Sequence, residues 1–389
     1  MRASTGAGAV ARAVAVVCAC ALPGFLAGSL VLQIREDFAL GSTALGVAFS
    51  VWWGAAAVAS PVASRLSERV GPGWALRVAG GVAATSCLAV AALADSALML
   101  VLLLTLGGTS IACATPAANV ILLDGVPRRR RALAFGIAQS ALPGGLLVAG
   151  VAVPFVAEPL GWRPVFLLAA GLALAAAAAA PMGRVSGGIT PEERPRGGPR
   201  PSLVSLAVVA AGVSLGCGAV GALNAFLVAA APDAGVSGAT AALVLALGSG
   251  LSIVARLAVA LHADRGRGDP LLTVAALLGA GGLGYALVAV GGAAPFLGGA
   301  LLVLTLGWGW MGLFTFSIVS RYRAAPERAT GIMQSGFFAG GVVGPTVFGV
   351  FADSWGFGPA WLAAAAGSLV AAAVVGVGRS ALAPEPAVE

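Results

Sequence analysis

Charged side chains are scarce in this 389-residue chain. Lysine is absent, histidine occurs once, and charged residues make up only 10% of the sequence, where a soluble domain has about 25%. So few charges cannot cover a globule of this size with a surface that faces water. Because apolar residues make up 59% of the sequence, we expect lipid to surround most of the chain.

The residues that build metal centres and enzyme active sites are equally few. The five cysteines have no spacing typical of a metal site or of a disulfide framework. They all lie in apolar runs: Cys18, Cys20, Cys87, Cys113 and Cys217. The single histidine, His262, has no cluster of possible ligands near it, and no GxxxxGK[ST] sequence is present. We therefore expect no enzymatic activity, no metal and no cofactor, and an ATP-driven pump is disfavoured.

Long apolar runs take up most of the sequence. A helix that crosses a bilayer needs about 20 apolar residues. Cutting the chain at charged residues and at Gly/Pro turns predicts twelve such helices, and Ser42 and Ser237 are typical N-cap residues for the second and the eighth. The predicted spans are 9–34, 42–63, 74–94, 97–123, 132–157, 164–182, 202–231, 237–262, 270–291, 295–320, 328–352 and 358–379.

The arginines lie unevenly between the two sets of turns that join these spans. With the N-terminus inside, only Arg35 and Arg163 fall in outer loops, and the others fall in inner segments or at their borders. Because basic residues mark the cytoplasmic side, we expect a multi-pass protein of the plasma or inner membrane with both termini in the cytoplasm. The net charge of +7 does not indicate nucleic-acid binding, since the arginines form no basic face interleaved with aromatic residues.

One polar stretch divides the chain into two parts. Residues 183–201 read GRVSGGITPEERPRGGPRP, a composition rich in Gly, Pro and charge that is typical of a flexible linker. We therefore predict an N-terminal six-helix bundle over residues 1–182, a cytoplasmic linker over residues 183–201 and a C-terminal six-helix bundle over residues 202–389.

The two parts repeat each other at an offset of 195 residues. Residues 136–140 read GIAQS and residues 331–335 read GIMQS, and residues 161–164, GWRP, face residues 356–359, GFGP. Since each copy holds an even number of spans, both copies have the same orientation in the membrane. They are then parallel repeats about an axis along the membrane normal, an arrangement that places a shared site near the bilayer midplane and alternates its access by rocking.

The turns after the second and eighth spans carry a motif of a known family. Residues 64–73 read SRLSERVGPG and residues 256–267 read RLAVALHADRGR. With the twelve-span repeat, they resemble the major facilitator superfamily of secondary transporters, whose loop after the second helix usually reads Gly-x-x-x-Asp-Arg-x-Gly-Arg-Arg/Lys. The first copy keeps the acid, the Arg and the second Gly, and the second copy keeps Asp-Arg. The resemblance implies an all-α membrane protein with twelve helices in two pseudo-symmetric six-helix bundles.

The resemblance also implies an inner gate. In the family, the first acid approaches the start of the eleventh helix, so Glu68 would meet that helix and Asp264 would meet the start of the fifth. A carboxylate is stabilised there because the unpaired N–H groups carry a partial positive charge. The alternatives are local ion pairs of each acid, and Gln and Ser side chains that only satisfy nearby carbonyls. The predicted gate residues are Glu68, Arg69, Asp264, Arg265, Gln139, Ser140, Gln334 and Ser335.

The implied central cavity, lined by the first, fourth, seventh and tenth helices, holds no acid at the middle of any of them. Residues 104–108, LTLGG, replace the Arg-x-x-Gln-Gly pattern of many proton-coupled drug exporters, which argues against their proton relay and leaves coupling to H⁺ open. The alternative for each lining residue is a role in helix packing. The candidate lining residues are Gln33, Asn119, Asn224, Trp308, Trp310 and Thr315.

These patterns predict a transporter, active as a monomer, that moves a small neutral or amphipathic solute by alternating access. Efflux of a drug-like or natural-product compound is slightly favoured over the alternative, uptake of a metabolite. A membrane enzyme is disfavoured because the His/Asp or Cys/His constellation that such chemistry needs is missing. The duplicated loop acids argue against the other alternative, a non-transporting receptor or structural membrane protein.

Overall fold

The computed structural model of this protein describes residues 2–38, 40–125, 130–181, 202–265, 268–322 and 326–382. Within these ranges the chain forms helices and short turns and no strand. Twelve helical segments are long and apolar enough to cross a membrane, which confirms the predicted number and the all-α class. Numbered as spans 1 to 12, they are Ala7–Ser29, Ser42–Val70, Pro72–Leu93, Ala97–Leu122, Ala132–Leu160, Trp162–Ala179, Leu203–Ala230, Gly238–Asp264, Pro270–Val290, Ala293–Arg321, Ala329–Trp355 and Phe357–Ala381.

Six spans precede the predicted linker and six follow it, and the linker itself lies outside the described residues. The helices of spans 4 and 11 extend a little beyond the spans, as Ala97–Gly125 and Pro326–Trp355. Between spans 7 and 8 a short 3₁₀ turn covers Pro232–Ala234. Ser237, just before span 8, caps its helix as predicted, since its hydroxyl accepts a hydrogen bond from the Thr240 N–H group at 3.2 Å. The prediction for Ser42 was wrong, because Gly41 takes the N-cap position and Ser42 is the first residue of the helix.

Spans 1, 5 and 10 are interrupted. Spans 5 and 10 each contain a π-helical turn, and span 1 pauses at Leu30 before a short helix continues it. Span 1 and its continuation consist of Arg2–Ser29 and Val31–Asp37. Span 5 consists of Arg131–Gln139, Ala141–Ala152, Val153–Ala157 and Glu158–Leu160. Span 10 consists of Ala293–Leu302, Val303–Gly307 and Met311–Arg321. An interrupted helix at membrane depth leaves main-chain groups without helical partners, so those groups must bond to other parts of the protein or face a cavity.

The acid motif of the first half lies in a helix rather than in the predicted loop. The helix Ser42–Val70 continues past the predicted end at residue 63 and includes Glu68 in its last turns. Gly71, with φ of +86°, ends this helix, and Pro72 begins the next one. Glycine adopts a positive φ without steric penalty, and proline needs no N–H partner in a first turn. A single residue therefore connects spans 2 and 3.

Small residues bring the two halves into contact. Span 2 packs along span 11, and span 5 packs along span 8. A Cβ atom at Gly46 would stand 2.9 Å from the carbonyl carbon of Pro345, and one at Gly150 would stand 2.9 Å from the main-chain nitrogen of Ala246. No side chain fits in these spaces, so glycine allows the helices of opposite halves to approach backbone to backbone.

The same device packs the second half internally. Span 7 and span 11 meet at Gly218 and Gly344, where a Cβ atom on Gly344 would stand 2.6 Å from the main-chain oxygen of Gly218. Further along the same helix, a Cβ atom on Gly331 would meet nothing within 4 Å. Two glycines of one helix thus have opposite tolerance for a side chain.

We expect Gly344→Ala to lower the melting temperature of the detergent-purified protein by several degrees. The added methyl group forces spans 7 and 11 apart, and overpacking of this kind destabilises a protein by about 1–3 kcal/mol. The matched control is Gly331→Ala, which adds the same group to open space on the same helix and should leave the melting temperature unchanged or slightly raised. Equal melting temperatures for the two variants would contradict the close approach.

Candidate functional site

The contacts between the halves lie at both ends of the helix bundle. The end that carries Glu68, Arg130 and Asp264 is named the basic end here, and the end that carries Ser42 and Asp353 is named the opposite end. Because successive spans alternate in direction, the start of span 5 and the end of span 8 share the basic end. The start of span 2 and the end of span 11 share the opposite end.

At the basic end, Asp264 caps the start of span 5. Its two carboxylate oxygens accept hydrogen bonds from the N–H groups of Ala132, at 3.0 Å, and Leu133, at 3.1 Å. Both N–H groups belong to the first turn of the helix Arg131–Gln139, where they have no partner within the helix and carry partial positive charge. An acid of the second half therefore binds a helix terminus of the first half.

The related acid, Glu68, makes no matching contact in this structure. Its side chain is exposed, and no hydrogen bond or ion pair joins it to another described residue. Gly331, near the start of span 11, has open space around it. Arg69 and Arg265, which follow the two acids, are also exposed. Among the described residues, the basic end therefore has a carboxylate cap between spans 5 and 8 and none between spans 2 and 11.

At the opposite end the capped pair is the other one. Asp353, near the end of span 11, accepts hydrogen bonds from the N–H groups of Ser42, at 3.0 Å, and Thr43, at 2.7 Å. The Thr43 hydroxyl donates a further bond to the same carboxylate, at 2.6 Å. These two residues begin span 2, so again an acid of one half caps a helix of the other.

Sequence reasoning missed Asp353, although the repeat contained a clue. At the 195-residue offset Asp353 faces Glu158, just as Ser42 faces Ser237. These pairs place acids at span ends across from the starts of helices, as Glu68 and Asp264 are placed in the inner gate that the family resemblance implied. Glu158 is exposed and makes no corresponding bond among the described residues. One carboxylate cap is therefore present at each end, on different pairs of spans.

The Gln-Ser pairs of the repeat bond locally. The Ser140 hydroxyl donates to the Gly136 carbonyl at 2.7 Å, and the Ser335 hydroxyl donates to the Gly331 carbonyl at 3.0 Å. Among the described residues, neither serine bonds to Asp264 or Glu68. The helix of span 5 is locally distorted at Ser140, whose N–H is shared between the Gly136 and Ile137 carbonyls at 3.1 Å each, whereas the helix of span 11 is regular through Ser335.

The two glutamines differ in burial. Gln139 is half-buried and Gln334 is exposed. Span 5, whose start is capped by Asp264, thus also carries the more buried of the two glutamines. A Cβ atom at Gly136 would stand 3.0 Å from the Cβ atom of Ala260, so span 8 lies directly against this segment.

The candidate cavity residues occupy separate places. Asn224, buried in span 7, lies beside span 1, where a Cβ atom at Gly28 would stand 2.6 Å from its main-chain oxygen. The buried Oδ1 atom of Asn224 and the buried Oε1 atom of Gln33 find no hydrogen-bond partner in the described part of the chain. Asn119 lines a narrow crevice between spans 1, 4 and 5. Polar atoms left unpaired in an apolar interior are sites where a solute could bind.

The remaining candidates lie on span 10 and face different ways. Trp310 packs within the second half, with its ring 5.8 Å from that of Phe337. The Thr315 hydroxyl donates to the Met311 carbonyl of its own helix at 2.9 Å. Trp308 instead faces the first half, and its ring lies 6.4 Å from that of Phe25 in span 1.

Beside Trp308 lies a charged residue that sequence reasoning had assigned to the border of span 8. Arg256 is only 2% exposed. Its Nη2 atom donates to the main-chain carbonyl of Trp308, and its Nε atom donates to the Ser252 hydroxyl at 3.4 Å. Because span 10 is interrupted at this level, the Trp308 carbonyl lies outside regular helical bonding and needs such a donor. An arginine two turns inside an apolar run is a signal that the sequence did contain.

Two comparisons place the chain among known proteins. The model of the Major Facilitator Superfamily matches residues 13–328. A solved structure, a bacterial homolog to the human lysosomal transporter Spinster in an inward-facing and occupied conformation, has a TM-score of 0.73 over 97% of this chain and 98% of that one. Its sequence identity of 14% shows the fold alone. A search of curated proteins finds no significant match. Since the family model covers more than half of the sequence, the chain belongs to the Major Facilitator Superfamily.

Proposed function

We propose that this membrane transporter moves a small amphipathic solute across the plasma membrane by rocking its two halves around a central site. It works as a monomer and has no enzymatic activity. The observation that carries the proposal is the pair of carboxylate caps, Asp264 on span 5 and Asp353 on span 2, at opposite ends of the molecule. Each cap crosses from one half to the other, so each must break when the halves separate at its end.

The basic end faces the cytoplasm in this proposal. The arginines at the turns of that end support the orientation, because basic residues are retained on the cytoplasmic side during insertion. Both termini then lie in the cytoplasm. The Asp264 cap belongs to the inner gate and the Asp353 cap belongs to the outer gate.

The strength of the caps suits a transporter. A charge at a helix terminus is worth about 0.3–2 kcal/mol, so a cap biases the equilibrium between two states without locking either one. Glu68 and Glu158, which bind no helix start among the described residues, are the acids that could bind spans 11 and 8 in another state. Gln139, Ser140, Gln334 and Ser335 complete the inner gate as polar groups that re-pair during the exchange.

The centre between the halves suits an amphipathic solute. Phe25, Trp52 and Trp308 provide an aromatic wall, with ring centroids 5.9 Å apart for Phe25 and Trp52 and 6.4 Å apart for Phe25 and Trp308. Drug-like and natural-product compounds carry the apolar surface that this wall would bury, and efflux is the direction we propose for them.

The experiment that tests transport starts from the purified protein. Ligand-induced thermal shift over a panel of metabolites and antibiotics identifies bound solutes, since a ligand of the folded state raises its stability. Each hit is then followed in proteoliposomes with and without a pH gradient, which also tests coupling to protons. If every hit crosses the proteoliposome membrane no faster than it crosses protein-free liposomes, the proposed transport function is wrong.

For the inner gate, we expect Asp264→Ala and Glu68→Ala each to lower flux about fivefold or more, because a cap worth about 1 kcal/mol shifts an equilibrium by that factor. Expression and melting temperature should stay near those of the wild type. Glu36→Ala, which removes an exposed acid at the opposite end, is the control and should transport normally. Normal flux in both gate variants would rule out the inner gate.

For the outer gate, we expect the loss of one cap and the loss of the other to change the access of an external reagent in opposite directions. Ser50, which accepts a hydrogen bond from the Thr346 hydroxyl at 2.7 Å between spans 2 and 11, serves as the reporter position. In a cysteine-free background with Ser50→Cys, a membrane-impermeant thiol reagent added outside should label faster with Asp353→Ala and slower with Asp264→Ala. Each change removes the cap at one end and so shifts the population toward the state that is open at that end.

Asp95→Ala provides the control for this measurement. Asp95 lies in an exposed turn of the same end, and its hydrogen-bond partner is the neighbouring Ser96 rather than the other half. It should leave the labelling rate unchanged. The same rate in the Asp353→Ala, Asp264→Ala and Asp95→Ala variants would show that the caps do not control access.

A further inference from the structure

Arg256 places a positive charge near the middle of the membrane. It belongs to span 8, a helix of 27 residues, and a helical side chain tilts toward the N-terminal end of its helix. The guanidinium thus reaches back from Arg256 to Ser252, which lies close to the middle of the helix. Span 10 meets it at Trp308, also near the middle of its span.

This charge has no counterion in the described part of the chain. Ion pairs between described residues join Asp37 to Arg163 at 2.8 Å, and Asp269 to Arg321 at 3.5 Å and to Arg379 at 3.0 Å, all near the ends of spans. Arg256 has no carboxylate within ion-pair distance. A buried charge without a partner is unfavourable in a membrane interior, and where one is retained it usually marks a site of function.

The guanidinium also has an unused donor. Its Nη1 atom is buried and has no hydrogen-bond partner among the described residues, while Nη2 is bonded to the Trp308 carbonyl. A guanidinium can donate two parallel bonds to a carboxylate, a geometry that lysine cannot reproduce. Bonding to Trp308 alone accounts for only part of its donor capacity.

The ring of Trp308 lies against the charge, and aromatic rings of the first half pack next to that ring. The Trp308 ring centroid lies 5.2 Å from the Arg256 guanidinium carbon, and Phe25 and Trp52 of the first half continue the wall. The charge can bind an anionic group while the rings bury an apolar body. Because the rings come from spans 1, 2 and 10 and the arginine comes from span 8, a solute bound here would touch both halves.

We propose that Arg256 binds the anionic group of the transported solute, and that the substrates are amphipathic monoanions such as carboxylates with an aromatic or aliphatic body. This inference rests on the transport function proposed above and names its substrate class. One positive charge is matched by one negative charge. A cation would add repulsion at the site, and a dianion would leave one charge unpaired at the midplane.

Arg77 provides the comparison for a purely structural arginine. It donates to the main-chain carbonyl of Ala180 at 3.2 Å and lies 5.5 Å from the ring centroid of Trp74, so it repeats the kinds of contact that Arg256 makes with Trp308. It lies near the basic end of span 3, away from the contacts between the halves. A role limited to bracing a carbonyl would make the two arginines equivalent.

The test measures the charge preference of the site directly. The five native cysteines are replaced by alanine, Ser252→Cys is introduced, and the protein is reconstituted into liposomes. Two methanethiosulfonate reagents, one bearing a sulfonate and one bearing a trimethylammonium group, are applied, and each rate is divided by its rate with a free thiol in solution. The normalised rate should be about tenfold or more higher for the sulfonate reagent, because Arg256 attracts anions in a region of low dielectric constant.

Three further variants separate charge from structure. Arg256→Gln in the same background should abolish the sulfonate preference, Arg256→Lys should retain it, and Arg77→Gln should leave it unchanged. The measurement with Arg256 intact does not depend on the folding of these variants. Equal normalised rates for the two reagents with Arg256 intact would therefore overturn the proposal, as would a preference that survives Arg256→Gln.

The outcomes also distinguish this inference from the transport function. If neither reagent reacts with the Ser252→Cys variant from either side of the membrane, the guanidinium does not line a path open to water, and the anion site is overturned. Flux in proteoliposomes and labelling at the Ser50 position report on transport independently. Equal rates together with intact flux would leave the transporter standing and remove only the anion site.

Discussion

A carboxylate bound to the N-terminus of a helix in the opposite half is the interaction on which the arrangement of the halves depends. Asp264 and Asp353 each satisfy N–H groups that their partner helix cannot satisfy itself. Both caps lie at ends of spans, where water can replace the lost bonds when the halves part. The same contact at the midplane would leave a carboxylate and several N–H groups in hydrocarbon, and separation would be far more costly.

The glycine contacts complement these caps. At Gly46 and Gly150 the halves touch backbone to backbone, without side chains that interlock across the boundary. Contacts of this kind give close packing and leave a smooth surface along which one half can turn against the other. The caps thus bias the ends of the molecule, and the glycines provide close contacts against which the proposed rocking would occur.

The interruption of span 10 explains why Arg256 is held between the two ends of the molecule. A regular helix would have satisfied the Trp308 carbonyl internally, and Arg256 would then have had no bond to make there. With the helix broken, the arginine is held beside an aromatic wall with one donor unused. Arg256 can bond to the Trp308 carbonyl and still keep a donor unused, because a guanidinium has more donors than a single carbonyl accepts.

Composition and the length of apolar runs determined the membrane class and the twelve spans, because these are properties of residues that lie close together in the sequence. The duplication was determined by matching residues at the 195-residue offset. The sequence alone could not decide which acid caps which helix, since both copies hold nearly the same acids and helix starts. In the described part of the chain, the tertiary structure places Asp264 and Asp353 on helix starts and gives Glu68 and Glu158 no such contact. The tertiary structure also places the guanidinium of Arg256 near the middle of span 8 rather than at its border. A long side chain on a helix reaches about a turn toward the helix N-terminus, and there the guanidinium donates to the Trp308 carbonyl of span 10.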